Sequence, residues 1–244
     1  MSAVIEVLAA TQVFGTRTIF RDVSFDIQEG EVFVILGGSG CGKSTLLKQM
    51  IGLQTPTEGD ITVAGYSVSR QAHEVRRQIG VMFQSGALFG SMNLLDNVSL
   101  PLSVFTDLPA AACREIARLK LGLVGLEEAA LRLPAEISGG MVKRAAIARA
   151  LALDPPVLML DEPSAGLDPV TSAGLDKLIL SLRDTLGTTC VVVTHELASI
   201  MAIADRCAML DAKAQGLIAL GRPQDLKRDS TQPMVKAFFH RETL

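Results

Sequence analysis

Gly37-Gly38-Ser39-Gly40-Cys41-Gly42-Lys43-Ser44, followed by Thr45, fits the spacing G-x-x-x-x-G-K-[ST]. In such a loop the glycines let the backbone curl until successive N–H groups face inward. A helix starting at the end of the loop adds the positive end of its dipole. A lysine at position 43 would then meet the β- and γ-phosphates of a nucleotide, and the Ser44 hydroxyl would ligate Mg²⁺. An ordinary glycine turn is the plain alternative, and the flanking elements discriminate between the two. A dinucleotide-type G-x-G-x-x-G does not fit, because counting from Gly38 and Gly40 puts Lys43 at the last position.

Two further stretches carry polar groups at positions suited to chemistry. Val157-Leu-Met-Leu-Asp161-Glu162 is an apolar run ending in two carboxylates. Read as a buried strand, it releases them at its C-terminal edge, where α/β sheets bind ligands. Asp161 would reach a Mg²⁺ shell and Glu162 would accept a proton from an attacking water; an acidic cap on the next helix is the competing explanation. Ile137-Ser138-Gly139-Gly140-Met141 precedes a basic helical run, with Ser138 as helix cap and two glycines that leave N–H groups free for an anion. Taken singly it is a capped helix, but it lies 23 residues before Asp161 and downstream of a phosphate loop.

The elements that must position these residues follow from the apolar pattern. Glu31–Leu36 is a strand-length apolar run, then come the glycines, then a helical stretch over Lys43–Ile51: strand, loop, helix. Further strands are expected at 79–83, 157–160, 190–194 and 206–210, that at 157 introduced by Pro155-Pro156. Short Val/Ile-rich runs alternating with helical patterns indicate a largely parallel sheet. Val23, Phe25 and Ile27, and again Ile61 and Val63, alternate with polar residues as in half-exposed antiparallel strands. From roughly 86 to 152 the chain turns Ala-, Leu- and Arg-rich, the expected helical insert. Leu175, Leu178, Ile179, Leu182 and Leu186 recur at helical spacing. The expected fold class is therefore α/β, one domain over 1–244 with an antiparallel β part and the helical insert.

Composition narrows the function classes. The net charge of −3 gives no general electrostatic reason to bind nucleic acid. Although 48% of residues are hydrophobic, no run of about 18 uninterrupted apolar residues exists to span a bilayer. The first residues lack a basic region followed by a long apolar one, so no secretory signal is expected and the protein is read as cytoplasmic. Cys41, Cys113, Cys190 and Cys207 form no C-x-x-C pair, against a zinc, iron–sulfur or disulfide framework. They are read as reduced thiols, Cys190 as a small core residue and Cys41 as a tolerated small side chain in the glycine loop.

Gly37–Thr45, Gln84 after Val81-Met-Phe, Ser138-Gly-Gly, Asp161-Glu162-Pro163, Ser164-Ala-Gly-Leu-Asp168 and Thr194-His195 together resemble the ATP-binding cassette ATPases over nearly the whole chain. The resemblance implies a P-loop nucleoside triphosphatase that uses ATP and Mg²⁺. It implies a head-to-tail dimer with a second ATPase subunit, the phosphate loop of one subunit and Ser138-Gly139-Gly140 of the other enclosing each ATP. It further implies Phe14 stacked on adenine, Gln84 bridging Mg²⁺ and the insert, Asp168 facing the partner and His195 on the γ-phosphate. Nucleotide contacts would run over Gly37, Gly38, Ser39, Gly40, Cys41, Gly42, Lys43, Ser44 and Thr45, metal contacts over Ser44, Gln84 and Asp161. Catalysis would rest on Glu162, His195, Gln84 and Lys43.

Gln84-Ser-Gly-Ala-Leu-Phe89, Met92-Asn-Leu-Leu-Asp-Asn-Val98, Met141 where most relatives carry Gln, and Thr194–Asp205 are similar to a narrower branch, the ATPases of MCE-type lipid transporters. That likeness implies phospholipid movement between inner and outer membrane, with integral membrane permease subunits and an MCE-domain substrate-binding subunit, from the cytoplasmic face of the inner membrane. Competing expectations are another ABC importer or exporter, an ATPase gating a cell-wall hydrolase, and an iron–sulfur assembly ATPase.

Two apolar groups remain. Leu88, Phe89, Met92, Leu94 and Leu95 are expected to form a docking groove, with Phe89 and Met92 its sharpest members and Leu94 and Leu95 open to burial in the insert. Val235, Phe238 and Phe239, after Pro233, form a helical stripe that packs on its own domain or docks on a second subunit or accessory protein. Truncation after Gln232 is expected to weaken assembly more than monomer stability.

Overall fold

In the computed structural model, which describes residues 2–242, the chain runs β1 (Ala3–Phe14), β2 (Arg17–Gln28), β3 (Val32–Gly37), α1 (Lys43–Met50), β4 (Glu58–Val63), β5 (Tyr66–Ser67), α2 (Ala72–Arg77) and β6 (Ile79–Met82). Then follow α3 (Leu94–Phe105), α4 (Ala110–Leu123) and α5 (Gly139–Ala150). The remainder is β7 (Val157–Asp161), α6 (Pro169–Leu186), β8 (Thr189–Val193), α7 (Leu197–Ile203), β9 (Arg206–Asp211), β10 (Gly216–Gly221), α8 (Pro223–Asp229) and α9 (Pro233–His240).

The unbroken apolar runs exist because both faces of one sheet are covered. In β3, Val32, Val34 and Leu36 enter one core while Phe33 and Ile35 enter another. β7 and β8 divide their residues the same way, Leu158, Leu160, Cys190 and Val192 to the first core, Val157, Met159, Val191 and Val193 to the second. A strand buried on two sides has no polar face to show, and this is the usual state of parallel strands between helices. The sheet order is β10-β9-β3-β8-β7-β6, parallel from β9 to β6 with β10 antiparallel at the edge. A second, antiparallel sheet, β2-β1-β4-β5, places Val23, Phe25, Ile27, Ile61 and Val63 in the second core together with residues of α1 and α2.

Between β6 and β7 the described chain holds helices and no strand. Within it α5 lies close on β6, and Gly80 permits the approach: a Cβ there would stand 2.1 Å from the Ala150 carbonyl oxygen. Leu94 and Leu95 are buried in the first core, so they do not contribute to an open groove. Cys190 and Cys207 are buried, and desolvation pushes each thiol up to about 12, which leaves both as inert packing groups.

The C-terminal stripe also finds its cover at home. Val235 and Phe239 are fully buried in the first core and Phe238 packs against it half-buried. The expectation that truncation acts mainly on assembly is therefore corrected: the tail is part of the domain's own core, and sequence periodicity, which marks an apolar face without naming what covers it, left that open.

Candidate active site

Four neighbouring strands, β3, β8, β7 and β6, are parallel, so their C-terminal ends lie along one edge of the sheet. From that edge emerge the glycine loop after Gly37, Thr194-His195 after β8, Asp161-Glu162 at the end of β7 and Gln84 two residues past β6. Ligands bind at this edge of an α/β sheet because the loops there can carry polar groups that a buried strand cannot.

The glycine loop has the shape its composition demands. Gly37 sits at φ +145°, and a Cβ on it would stand 2.2 Å from the Leu210 carbonyl oxygen and 2.7 Å from Cys41 Sγ. Gly42, at φ +103°, caps α1 without any side-chain hydrogen bond, and no acidic residue occupies the first turn of that helix. The first N–H groups of α1 thus remain free for an anion, in the field of the helix dipole. Lys43 Nζ donates to the carbonyls of Gly37 (2.8 Å) and Gly38 (3.1 Å), which holds its ammonium over the loop. Cys41 is buried as the loop's inner wall, and burial raises its thiol pKa. Gly38, Ser39, Gly40 and Ser44 are exposed and Thr45 is half-buried. A cavity of about 240 Å³ is lined by Gly40, Gly42, Lys43, Ser44 and Thr45 together with Arg17 and Ile19. Arg17 pairs with Phe14, the exposed end of β1, across the β1–β2 hairpin.

Glu162 occupies strained backbone. Its φ of +45° lies in the left-handed region that a side chain disfavours, and its N–H donates to the Val193 carbonyl at 2.8 Å. One carboxylate oxygen, Oε1, accepts from His195 Nδ1 at 2.9 Å, while Oε2 is buried with no partner. A buried carboxylate oxygen with an open lone pair is what a water-activating base requires. Burial and the adjacent Glu162 carboxylate push the Asp161 carboxyl above the ordinary range, against the pull of Lys143, Lys43 and Lys48. Neither residue caps the next helix: Asp168 does, accepting from the N–H groups of Val170 (3.0 Å) and Thr171 (3.1 Å).

Ser138 caps α5, its Oγ accepting from the Met141 N–H at 3.3 Å. A second cavity, of about 460 Å³, is lined by Gln84, Ser85, Gly139, Val142, Lys143, Ala165 and Gly166. Within one chain, then, Gly139 and Gln84 line one cavity, while Gly40, Gly42, Lys43, Ser44 and Thr45 line another. The donor types suit Mg²⁺ held with a nucleotide: Ser44, Gln84 and Asp161 would supply a hydroxyl, an amide and one carboxylate. Among the described residues no cluster of three or more His, Cys, Asp or Glu exists to hold a metal by itself.

Three polar residues that sequence analysis did not single out fasten the Gln84 segment. Lys143, 7% exposed, donates from Nζ to the carbonyls of Gln84 and, at 3.4 Å, Glu162. Arg149 donates to the carbonyls of Ala87 (2.7 Å) and Gly86 (3.1 Å). Fully buried Asn97 accepts from the Phe89 N–H and donates to the Phe89, Met92 and Asn93 carbonyls. In sequence Lys143 and Arg149 look like the solvated cations of a basic helix, and no local signal marks them otherwise. Arg17 and Ile19 carry no local signal at all.

A glycine loop feeding a helix at the C-terminal edge of a parallel sheet, with paired carboxylates on the neighbouring strand and a capped Ser-Gly-Gly helix beyond, defines a P-loop nucleoside triphosphatase of ATP-binding-cassette type. The sequence profile described as ABC transporter matches residues 20–165, and the chain belongs to that family. It is an ATP-binding, ATP-hydrolysing subunit.

Relatives include the intermembrane phospholipid transport system ATP-binding protein MlaF of Escherichia coli K12, 42% identical over 92% of this chain and 84% of that protein. The probable ribonucleotide transport ATP-binding protein mkl of Mycobacterium leprae is 43% identical over 98% of this chain and 70% of its own length. Among solved structures, cbiO1 of Clostridium perfringens, part of the ABC transporter complex cbiONQ, superposes with a TM-score of 0.85 at 29% identity over 94% of this chain and 92% of that one. The dimeric ATP-binding cassette MJ0796 in a post-hydrolysis state with ADP and Pi gives 0.80 at 30% identity over 89% of this chain and 98% of that one. Among the described residues no helix is long and apolar enough to cross a membrane.

Proposed function

We propose that this chain couples Mg²⁺-dependent ATP hydrolysis to phospholipid movement between inner and outer membrane, as a head-to-tail pair on the cytoplasmic face of the inner membrane. Its partners are integral membrane permease subunits and an MCE-domain substrate-binding subunit. One nucleotide domain spans 1–244, with about 86–152 as its helical insert.

The observation that carries the hydrolytic half is Glu162: strained, hydrogen-bonded to His195 through one oxygen, and buried with an open acceptor on the other. Oε2 takes the proton of the attacking water, and His195 Nδ1 fixes the carboxylate that does so. Loop N–H groups from Gly37 to Thr45 and the Lys43 ammonium bind the β- and γ-phosphates, Phe14 stacks on adenine, and His195 reaches the γ-phosphate through the rest of its exposed ring. Ser44, Gln84 and Asp161 would hold Mg²⁺, which would supply positive charge against the phosphate oxygens. In phosphoryl transfer such positioning and charge stabilisation supply nearly all of the catalysis. Gly139 and the chain's own phosphate loop line different cavities, which supports closure of each site by a second subunit, with Asp168 facing it.

Lipid cargo rests on the likeness to the phospholipid-transport relatives and on the segments 84–98, 138–141 and 194–205. A relative of 43% identity is named for probable ribonucleotide transport, so the decisive experiment carries both cargoes. The chain is purified with its co-encoded membrane subunits, reconstituted in liposomes, and supplied with MgATP and either a fluorescent phospholipid or a labelled ribonucleotide. ATP-dependent phospholipid transfer, lost with Glu162→Gln, is the expected result. Hydrolysis that moves only the ribonucleotide, or no cargo, overturns the lipid assignment.

A further inference from the structure

We propose that Lys143 is a positioning residue for ATP hydrolysis, tying the backbone of Gln84 to the backbone of Glu162 so that both move with the helix that presents Ser138-Gly139-Gly140. The inference rests on the roles of Glu162 and Gln84 given above and adds a residue that they do not contain.

Lys143 sits on α5, four residues into the helix capped by Ser138. Its side chain runs inward rather than to solvent, leaving the residue 7% exposed. The ammonium donates to the Gln84 carbonyl, at the end of β6, and to the Glu162 carbonyl, 3.4 Å away at the end of β7. One cation thus spans three segments that no other side chain among the described residues joins by hydrogen bonds. A buried ammonium needs such acceptors, because unpaired it would be strongly unfavourable.

The rest of the Gln84 segment is fastened the same way. Arg149, also on α5, holds the Gly86 and Ala87 carbonyls, and Asn97, on α3, holds both backbone groups of Phe89. Though Gln84 follows a core strand in sequence, its segment is bound to helices of the insert. Any rotation of α5 therefore displaces Gln84, and Lys143 alone extends the linkage to Glu162. Placement of a reacting group is worth much in rate: a displacement of 1 Å costs on the order of 100-fold.

The test compares Lys143→Met, Lys143→Arg and Lys143→Gln in the full chain, alone and with its membrane subunits, measuring kcat, KM, equilibrium nucleotide binding and Tm. Glu162→Gln is assayed in parallel. Lys143→Met removes both donated bonds and is expected to lower kcat about 10- to 100-fold with KM and nucleotide affinity within about two-fold. Lys143→Arg, which keeps the cation and its donors, is expected to restore most of the rate, with Lys143→Gln between. Should the Met variant fail to fold, the Gln and Arg variants carry the same comparison. An unchanged kcat, a parallel loss of affinity, or no rescue by Arg overturns the proposal. Full hydrolysis by Glu162→Gln overturns the site assignment instead, whatever Lys143 does.

Discussion

At the scale of single residues, Glu162 combines two features that no other acid among the described residues combines: strain at φ +45° and a half-satisfied carboxylate, one oxygen on His195 and the other buried without a partner. Glu162→Gln keeps the shape and the His195 contact but cannot take a proton. Hydrolysis is expected to slow by about 10²- to 10⁴-fold while ATP binding persists, since general-base removal costs that range. ATP-loaded dimers should then accumulate, and size analysis with MgATP that shows monomer both alone and with the membrane subunits would contradict the head-to-tail arrangement. Glu162 and Lys43 were singled out by local spacing after strand-like runs, and Gln84 by the family resemblance. Lys143 was not, because in sequence it is one more cation beside Arg144 in a helical run while its neighbours in space, Gln84 and Glu162, lie 59 and 19 residues away. Local spacing shows what a side chain is and seldom where it turns.

At the scale of elements, the loop before α3 and the pair α6–α7 each carry a consequence. Phe89 is 51% exposed and Met92 half-buried, on a loop whose shape is set by Asn97 rather than by those side chains. An exposed aromatic there contributes little to folding and is available as the docking feature expected from the sequence. Phe89→Asp with Met92→Asp should release the chain from membranes while leaving Tm nearly unchanged; retained membrane association in a fractionation assay would exclude this loop as the permease contact. On α6, Asp176 is buried facing Glu196 and Ser199, and desolvation raises its carboxyl pKa above the ordinary range. The folded state therefore binds this proton more tightly than the unfolded one. Stability falls as pH rises from the unfolded to the folded value, and above that window the charged, desolvated carboxylate is a fixed cost. Asp176→Asn is expected to raise Tm by a few degrees at neutral pH, with the gain vanishing in acid. A lower Tm at neutral pH would mean that the carboxylate is needed as an acceptor. None of this was visible in sequence, where Asp176 is one more polar residue in a helix whose expected stripe of Leu175, Leu178, Ile179, Leu182 and Leu186 is buried at Leu175, Ile179 and Leu182, half-buried at Leu178 and exposed at Leu186, the last residue of the helix.

At the scale of the whole molecule, the parallel and antiparallel sheets were legible because period-two alternation and continuous apolar runs report one or two covered faces. The β2-β1-β4-β5 and β10-β9-β3-β8-β7-β6 orders were not, since strand order depends on which elements cross over, and that is not a local property. The same limit governs the C-terminal helix. Its stripe of Val235, Phe238 and Phe239 was plain, and only the tertiary structure shows Val235 and Phe239 fully buried against the chain's own first core, with His240 Nε2 3.1 Å from the Lys227 carbonyl oxygen. Burying a valine and a phenylalanine side chain is worth about 1.5–3 kcal/mol each, and ordering the segment offsets part of that gain. Truncation after Gln232 removes those groups and uncovers the residues beneath them. At about 2–4 °C per kcal/mol for a domain of this size, the isolated truncated chain should melt roughly 5–10 °C earlier in differential scanning fluorimetry. Two point variants separate packing from mere length. Phe239→Ala should reproduce much of the loss, whereas Lys236→Ala, on the exposed side of the same helix, should leave Tm within about one degree. A truncated chain that melts normally yet fails to assemble with its membrane subunits would return the helix to the role of docking element.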